Sequence, residues 1–87
     1  IKHGLVGLTK YYASLYAENN VRVNMVSPGP VLNKQSKSLI KELIKLTPMN
    51  KLNKPQNLTG ILNFLASDES SFITGQNIII DGGRTII

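Results

Sequence analysis

Two short stretches of the sequence carry residue types that could bind a ligand or take part in chemistry. Lys2 stands near the start of an amphipathic helix, where a buried lysine is costly to desolvate unless its charge has a task. The run SPGPV, from Ser27 to Val31, directly follows a short apolar strand. A proline-stiffened loop at that place can present backbone N–H and C=O groups to a flat ligand without further loss of entropy.

Other reactive constellations are missing from the sequence. The lack of cysteine removes disulfides, thiolate catalysis and cysteine-based metal sites. His3 is the one histidine and cannot form a metal cluster alone, so we predict no metal site. Neither a glycine-rich phosphate loop nor a G-x-S-x-G elbow occurs. Asp81 lies in a Gly-Gly turn, and an acid in such a turn is more often structural than catalytic.

The basic charge of +5 raises the question of a nucleic-acid or anionic-membrane partner. The lysines are spread along the chain, and arginine, which binds phosphate with two parallel hydrogen bonds, occurs only as Arg22 and Arg84. No apolar run approaches the ~18 residues that a bilayer span requires. We therefore expect solvated surface lysines, no nucleic-acid partner and no membrane partner. Together with the lack of cysteine, this favours a cytoplasmic protein.

Apolar periodicity predicts the order helix, strand, helix, helix, strand. The first helix has a wide apolar surface, which suggests burial on more than one side. A basic amphipathic helix at 34–48 is a membrane-surface helix, a calmodulin-like target or a flap on the domain, and we favour the flap. The predicted segments are a helix ending at 18–20, a strand from Val21 to Val26, helices within 34–48 and 53–71, and a strand over Ile78–Ile80. In the last of these helices, Pro55 suits the first turn and Ser67–Asp68 mark the exit.

A long helical crossover between two strands implies a right-handed parallel unit. The aliphatic run at Ile78–Ile80 suits a strand covered on both faces, as in a parallel sheet. Two strands are too few for an independent sheet. The pattern thus predicts the end of an α/β layered fold.

The sequence resembles the C-terminal third of the short-chain dehydrogenase/reductases. The run KHGLVGLTKYYASLYAENNVRVNMVSPGPV resembles the active-site helix, next strand and Pro-Gly loop of that family, and NFLASDESSFITGQNIIIDGG resembles its closing segment. Lys2 falls on the lysine of the Tyr-x-x-x-Lys signature, so the tyrosine would lie three residues before Ile1. The resemblance implies that 1–87 is part of an NAD(P)-binding, Rossmann-like, doubly wound parallel sheet, beginning inside this motif.

The same resemblance implies roles for individual residues. Lys2 would bind the nicotinamide ribose hydroxyls and lower the pKa of the tyrosine that exchanges a proton with substrate. Pro28 and Gly29 would lie beside the nicotinamide ring, and the backbone of Val31 would bind its carboxamide. Asn33 stands where the family usually has threonine, near the carboxamide and pyrophosphate, and its amide can both donate and accept.

The implied function is that of an NAD- or NADP-dependent oxidoreductase interconverting an alcohol and a ketone. It would act on a small-molecule carbonyl or alcohol substrate, in the manner of a 3-oxoacyl-carrier-protein reductase, as a homo-oligomeric dimer or tetramer. Residues 34–46 match the mobile substrate flap. The catalytic tyrosine, serine and asparagine and the glycine-rich loop would lie upstream. The alternative is therefore a truncated, inactive remnant or self-association module, which the wide apolar surface of the first helix would suit.

Overall fold

A computed structural model describes residues 2–86, without the side chains of Lys2 and Ile86. The helices and strands follow the predicted order, and the α/β class is confirmed. They are α1 (Lys2–Tyr16), β1 (Met25–Pro28), α2 (Lys37–Lys45), α3 (Pro55–Ala66) and β2 (Asn77–Ile80), with single 3₁₀ turns at Ala17–Asn19, Asp68–Ser70 and Arg84–Ile86.

The two strands pair in parallel. The N–H of Met25 donates to the carbonyl of Gln76 at 2.8 Å, and the N–H of Gly29 donates to the carbonyl of Ile80 at 2.8 Å. The same offset at both ends of the pair gives a parallel register. β1 and β2 are neighbours in a two-stranded sheet within the described chain.

The first strand begins later than predicted. It starts at Met25, so the prediction of a strand from Val21 is wrong at that end. The N–H of Val23 donates to the hydroxyl of Thr74 at 3.1 Å rather than to a backbone carbonyl. The carbonyl of Val23 accepts from the N–H of Gly75 at 2.8 Å, where the chain turns at a φ of 75°. A side-chain partner and a turn thus replace the regular ladder before Met25.

Contacts divide the chain into two compact units. The first contains the residues up to Val26 together with Leu62–Ile78, and the second contains Ser27–Ile61 together with the residues from Ile79 onward.

In the first unit, the guanidinium of Arg22 closes the carboxyl end of α3. It donates to the carbonyls of Leu65 at 2.9 Å and Ser67 at 3.3 Å. It also donates to the hydroxyl of Ser70 at 2.9 Å and to the carbonyl of Ile73 at 3.4 Å. Ser70 has no exposed surface. The positive charge therefore meets the end of α3 where unpaired carbonyls and the helix dipole favour a cation.

The apolar surface of α1 is largely exposed. Ala13, at 4% exposure, is the one buried residue of this helix among those described. The predicted burial on more than one side is therefore not found within residues 2–86, because the described elements supply too little surface to cover the helix. The exposed apolar side chains are Leu5, Leu8, Tyr11, Tyr12, Leu15 and Tyr16.

In the second unit, local capping sets where the helices begin. The hydroxyl of Ser36 accepts from the N–H of Leu39 at 3.2 Å, which is a typical N-cap and starts α2 later than predicted. α3 begins at Pro55, as the sequence predicts. The side-chain oxygen of Asn57 accepts from the N–H of Lys54 at 2.7 Å, so a neutral amide performs the capping that an acid commonly performs.

No helix within residues 2–86 combines the length and apolar character needed to cross a lipid bilayer.

We expect Arg22→Met to lower the free energy of unfolding by about 2 kcal/mol, because charged hydrogen bonds to partly buried acceptors are lost. Chemical denaturation of the purified protein measures this change. Arg84→Met is the matched control, since the Arg84 side chain makes no hydrogen bond to the described residues. It should cost less than about 0.5 kcal/mol. Equal losses in the two variants would contradict the role given to Arg22.

Candidate functional site

Asn53 holds the loop that follows β1 in place through hydrogen bonds from its side chain and its backbone. Its side-chain amide donates to the carbonyl of Ile80 at 2.6 Å and to that of Gly29 at 3.3 Å. Its backbone N–H donates to the carbonyl of Pro30 at 3.2 Å, and its carbonyl accepts from the N–H of Leu32 at 2.7 Å. One residue thus satisfies backbone groups on both sides of the loop and at the end of β2, which fixes the path of the loop.

Gly29 lies directly against the residue that follows β2. A Cβ built on Gly29 would lie 3.0 Å from both the Cα and the Cβ of Asp81. That separation is tighter than ordinary carbon contacts, so the close approach of the two segments favours glycine at this position.

The backbone of Val31 has one face paired and one face turned outward. Val31 forms a single parallel bridge with Asn53. In this geometry the hydrogen bonds run through its neighbours, so its own N–H and C=O point away from Asn53. The carbonyl of Val31 accepts from the amide of Gln35 at 2.8 Å. The N–H of Asn33 donates to the same amide group at 2.7 Å. The side chain of Gln35 therefore closes the loop into a compact turn.

Asp81 holds the turn after β2 with its carboxylate. One oxygen accepts from the N–H of Gly83 at 3.0 Å and the other from the N–H of Thr85 at 3.1 Å. The hydroxyl of Thr85 lowers the pKa of Asp81 most, and backbone N–H groups of Gly83, Thr85 and Arg84 lower it further, against a partial opposing effect of desolvation. The carboxylate is engaged in holding the turn, which supports a structural role.

A cavity of about 380 Å³ opens in the second unit beside these segments. Among the predicted site residues, Gly29 lines it, together with Met49, Lys51, Asn53 and Asp81. Residues 2–86 bring together no group of three histidine, aspartate or glutamate side chains that could hold a metal ion.

The structure brings four of the five predicted site residues into one loop of the second unit. Pro28 is the last residue of β1 and is exposed, and Gly29, Val31 and Asn33 follow it. Lys2 is the first residue of α1, but its side chain lies outside the described residues. The structure therefore describes the predicted loop, while the role of Lys2 remains a prediction.

Sequence reasoning did not identify Asn53 and Gln35. Asn53 lies 24 residues from Gly29 and 27 from Ile80 along the chain. No local pattern marks such a distant partner. Gln35 lies four residues after Val31, and a glutamine amide that can both donate and accept within a tight loop is a signal that could have been recognised.

Comparison with known proteins places the chain in a family. A family profile described as enoyl-(acyl carrier protein) reductase matches residues 1–85. The chain is 40% identical over 89 residues to 3-oxoacyl-(acyl-carrier-protein) reductase FabG of Thermotoga maritima. It superposes with a TM-score of 0.91 and 42% identity on a short chain dehydrogenase from Leptospira borgpetersenii with bound NAD+. The chain belongs to the short-chain dehydrogenase/reductase family.

Membership in this family extends over nearly the whole chain. A structure of 4-hydroxyisoleucine dehydrogenase complexed with NADH matches 99% of the chain, with a TM-score of 0.91 and 35% identity. The chain covers 38% of that protein, 36% of the Thermotoga reductase and 33% of the Leptospira dehydrogenase. Together with the parallel pair of strands, these structural neighbours confirm the predicted Rossmann-like class. The chain spans about a third of the length of the relatives it matches.

We expect Asn53→Asp to lower the free energy of unfolding by about 2–3 kcal/mol at pH 7, because a carboxylate would face two carbonyl oxygens without a donor. The same contact raises the pKa of the introduced carboxyl. The loss should therefore shrink as the pH falls through this raised value, be smallest below about 4, and reappear as the pH rises. Denaturant unfolding at pH 3.5 and pH 7 measures both effects.

The matched control for this substitution is Asn63→Asp, at an exposed position of α3. It should change the free energy of unfolding by less than about 0.5 kcal/mol at either pH. A loss for Asn53→Asp that is equal at pH 3.5 and pH 7 would contradict the proposed contact.

The lowered pKa of Asp81 makes a second pH prediction. A depressed carboxyl pKa contributes stability above its unfolded value, and this contribution is lost as the pH falls through the folded value. Asp81→Asn should therefore give a shallower fall in unfolding free energy on acidification below about pH 4. Thr85→Val, which removes the hydroxyl alone, should give an intermediate slope. Identical slopes in all three proteins would refute the assignment.

Proposed function

We propose that the protein is an NAD- or NADP-dependent oxidoreductase that interconverts an alcohol and a ketone of a small molecule. The observation that supports this proposal is that the loop after β1 is held in a fixed position by hydrogen bonds from Asn53 and to the end of β2. In open α/β sheets, ligands bind at the carboxyl ends of the strands, where this loop lies. In this proposal residues 1–87 form part of an NAD(P)-binding Rossmann-like domain.

The groups on the loop fit the nicotinamide end of such a cofactor. A carboxamide offers one donor group and one acceptor, and the outward-facing C=O and N–H of Val31 can hydrogen-bond to them. Its carbonyl already accepts from Gln35, but a carbonyl oxygen has two lone pairs. Asn33 is exposed and adds an amide. We assign Pro28, Gly29, Val31 and Asn33 to holding and orienting the nicotinamide.

When bound, the cofactor supplies or accepts the hydride. The part assigned to Lys2 is to hydrogen-bond the ribose hydroxyls, as the lysine of the Tyr-x-x-x-Lys signature does. Its positive charge would also lower the pKa of a neighbouring tyrosine and so assist proton exchange with the substrate oxygen. This assignment is supported by the family register and by the position of Lys2 at the start of α1.

The substrate assignment rests on the relatives. A 3-oxoacyl-carrier-protein reductase and a 4-hydroxyisoleucine dehydrogenase both match nearly the whole chain. Both names fit the interconversion of an alcohol and a ketone, and the higher identity of the first favours a 3-oxoacyl thioester. Residues 34–46 are assigned to the substrate flap, because α2 lies directly after the proposed nicotinamide loop.

The proposal includes self-association as a dimer or tetramer in the cytoplasm, without nucleic-acid or membrane partners. The exposed apolar side chains of α1 support association, since large contiguous apolar patches are rare on monomers. A self-association module without catalysis is the second candidate, and the same surface favours it.

We expect Lys2→Ala to lower kcat/KM by at least about 100-fold, because a positioned charge assisting proton transfer is lost. The assay follows NADH and NADPH oxidation with a panel of ketones that includes an acetoacetyl thioester. Lys10→Ala, at an exposed position on the same helix, is the matched control and should stay within about twofold. Equal effects of the two substitutions would remove Lys2 from the site.

Cofactor binding is tested separately by titrating NADH and NADPH and following nicotinamide fluorescence. Asn33→Ala should weaken binding by about 5- to 10-fold, and Asn33→Thr should restore it, because one hydrogen bond is worth about 1 kcal/mol. If the unchanged protein binds neither cofactor and oxidises neither with any ketone, the proposed function is wrong. Self-association in the ultracentrifuge would then favour the second candidate.

A further inference from the structure

The residues that follow α2 are more tightly packed than the helix itself. No residue of α2 is buried, and Leu39 is 47% exposed. Two residues after the helix, Thr47 is only 4% exposed, and its hydroxyl donates to the carbonyl of Leu43 at 2.8 Å. The tightest packing of the segment therefore lies just beyond the helix rather than along it.

Thr47 and Met49 pack against the turn that follows β2. The N–H of Met49 donates to the carbonyl of Gly82 at 3.1 Å. Gly82 has a φ of +64°, and a Cβ built on it would lie 2.7 Å from the Cγ2 of Thr47 and 3.5 Å from the Cβ of Met49. The backbone conformation and the contact with Thr47 each favour glycine, and together they leave no room for a side chain.

The same turn also supports the proposed nicotinamide loop. Gly29 packs against Asp81 and donates its N–H to the carbonyl of Ile80 at 2.8 Å. The carboxylate of Asp81 in turn holds the backbone of the turn through Gly83 and Thr85. The segment from Ile80 to Gly83 is therefore a common base for that loop and for the end of α2.

We propose that the turn at Gly82 is an anchor that fixes the carboxyl end of the α2 segment, and that Gly82 is thereby a positioning residue for substrate binding. The part that concerns substrate rests on the proposed function. The Thr47–Met49 end of the segment lies on the same turn that supports the proposed nicotinamide loop. This shared contact fixes the position of the α2 segment relative to that loop.

Hydrogen–deuterium exchange of the full-length protein tests the anchor. Gly82→Ala should accelerate amide exchange in residues 37–49 by about tenfold, because one added methyl group overpacks a tight contact. Exchange in α3 should change by less than about twofold. Gly75→Ala is the matched control, since Gly75 also has a positive φ, of 75°, but its Cβ would meet only Ala13 at 3.4 Å. It should leave residues 37–49 unchanged.

A second substitution identifies the contact itself. Thr47→Ser removes the methyl group that Gly82→Ala would strike and keeps the hydroxyl bonded to Leu43, so the double variant should recover most of the protection. If Gly82→Ala does not fold, Thr47→Leu adds bulk on the other side of the same contact and should give the same local acceleration. Uniform acceleration across the protein, equal effects of Gly82→Ala and Gly75→Ala, or no rescue would overturn the anchor.

Kinetics with an acetoacetyl thioester provide the readout that a purely structural role would not change. Gly82→Ala should raise KM for the thioester about fivefold or more and leave the dissociation constant of NADH within about twofold. A matching loss of NADH affinity, or an unchanged KM, would overturn the positioning role. If the unsubstituted protein does not reduce the thioester, the proposed thioester substrate is wrong. The exchange measurements still test the anchor in that case.

Discussion

The carbonyl groups at the carboxyl ends of the two strands need hydrogen-bond donors, which the side chain of Asn53 and the N–H of Gly29 provide. A partly buried carbonyl without a partner costs free energy comparable to a lost hydrogen bond. The side-chain amide of Asn53 donates to the carbonyls of Gly29 and Ile80. The backbone of Asn53 also hydrogen-bonds to Pro30 and Leu32, which lie in the loop between β1 and α2. The position of the loop after β1, and hence of the proposed nicotinamide contacts, depends on these hydrogen bonds and on the packing of Gly29 against Asp81.

Local chemistry made part of the fold predictable from the sequence. Proline at 28 ends β1, and proline at 55 begins α3, because the ring restricts the backbone wherever the residue occurs. The start of β1 could not be read in this way. Val23 has a strand-forming side chain, but its N–H is taken by the hydroxyl of Thr74, 51 residues away. A pattern within five residues contains no information about that partner.

The same distinction applies to the candidate site: residues close in sequence could be predicted, and their distant partners could not. Pro28, Gly29, Val31 and Asn33 share one loop because they are close in sequence, and the resemblance to a family supplied their expected roles. The groups that hold this loop, Asn53 above all, come from distant parts of the chain and were not predicted. Geometry such as the close packing of Gly29 against Asp81, where an added Cβ would lie 3.0 Å from Asp81, likewise appears only when two segments are placed side by side.

Polar contacts rather than apolar burial define the described part of the chain. Ala13 and Leu52 are its buried apolar residues, while Ser27, Thr47 and Ser70 are buried polar ones. Apolar burial is the dominant favourable term in folding, and it is not directional. Hydrogen bonds contribute less net free energy but require particular atoms at particular distances. Arg22 at the end of α3 and Asn53 at the ends of the strands therefore determine where backbone groups lie.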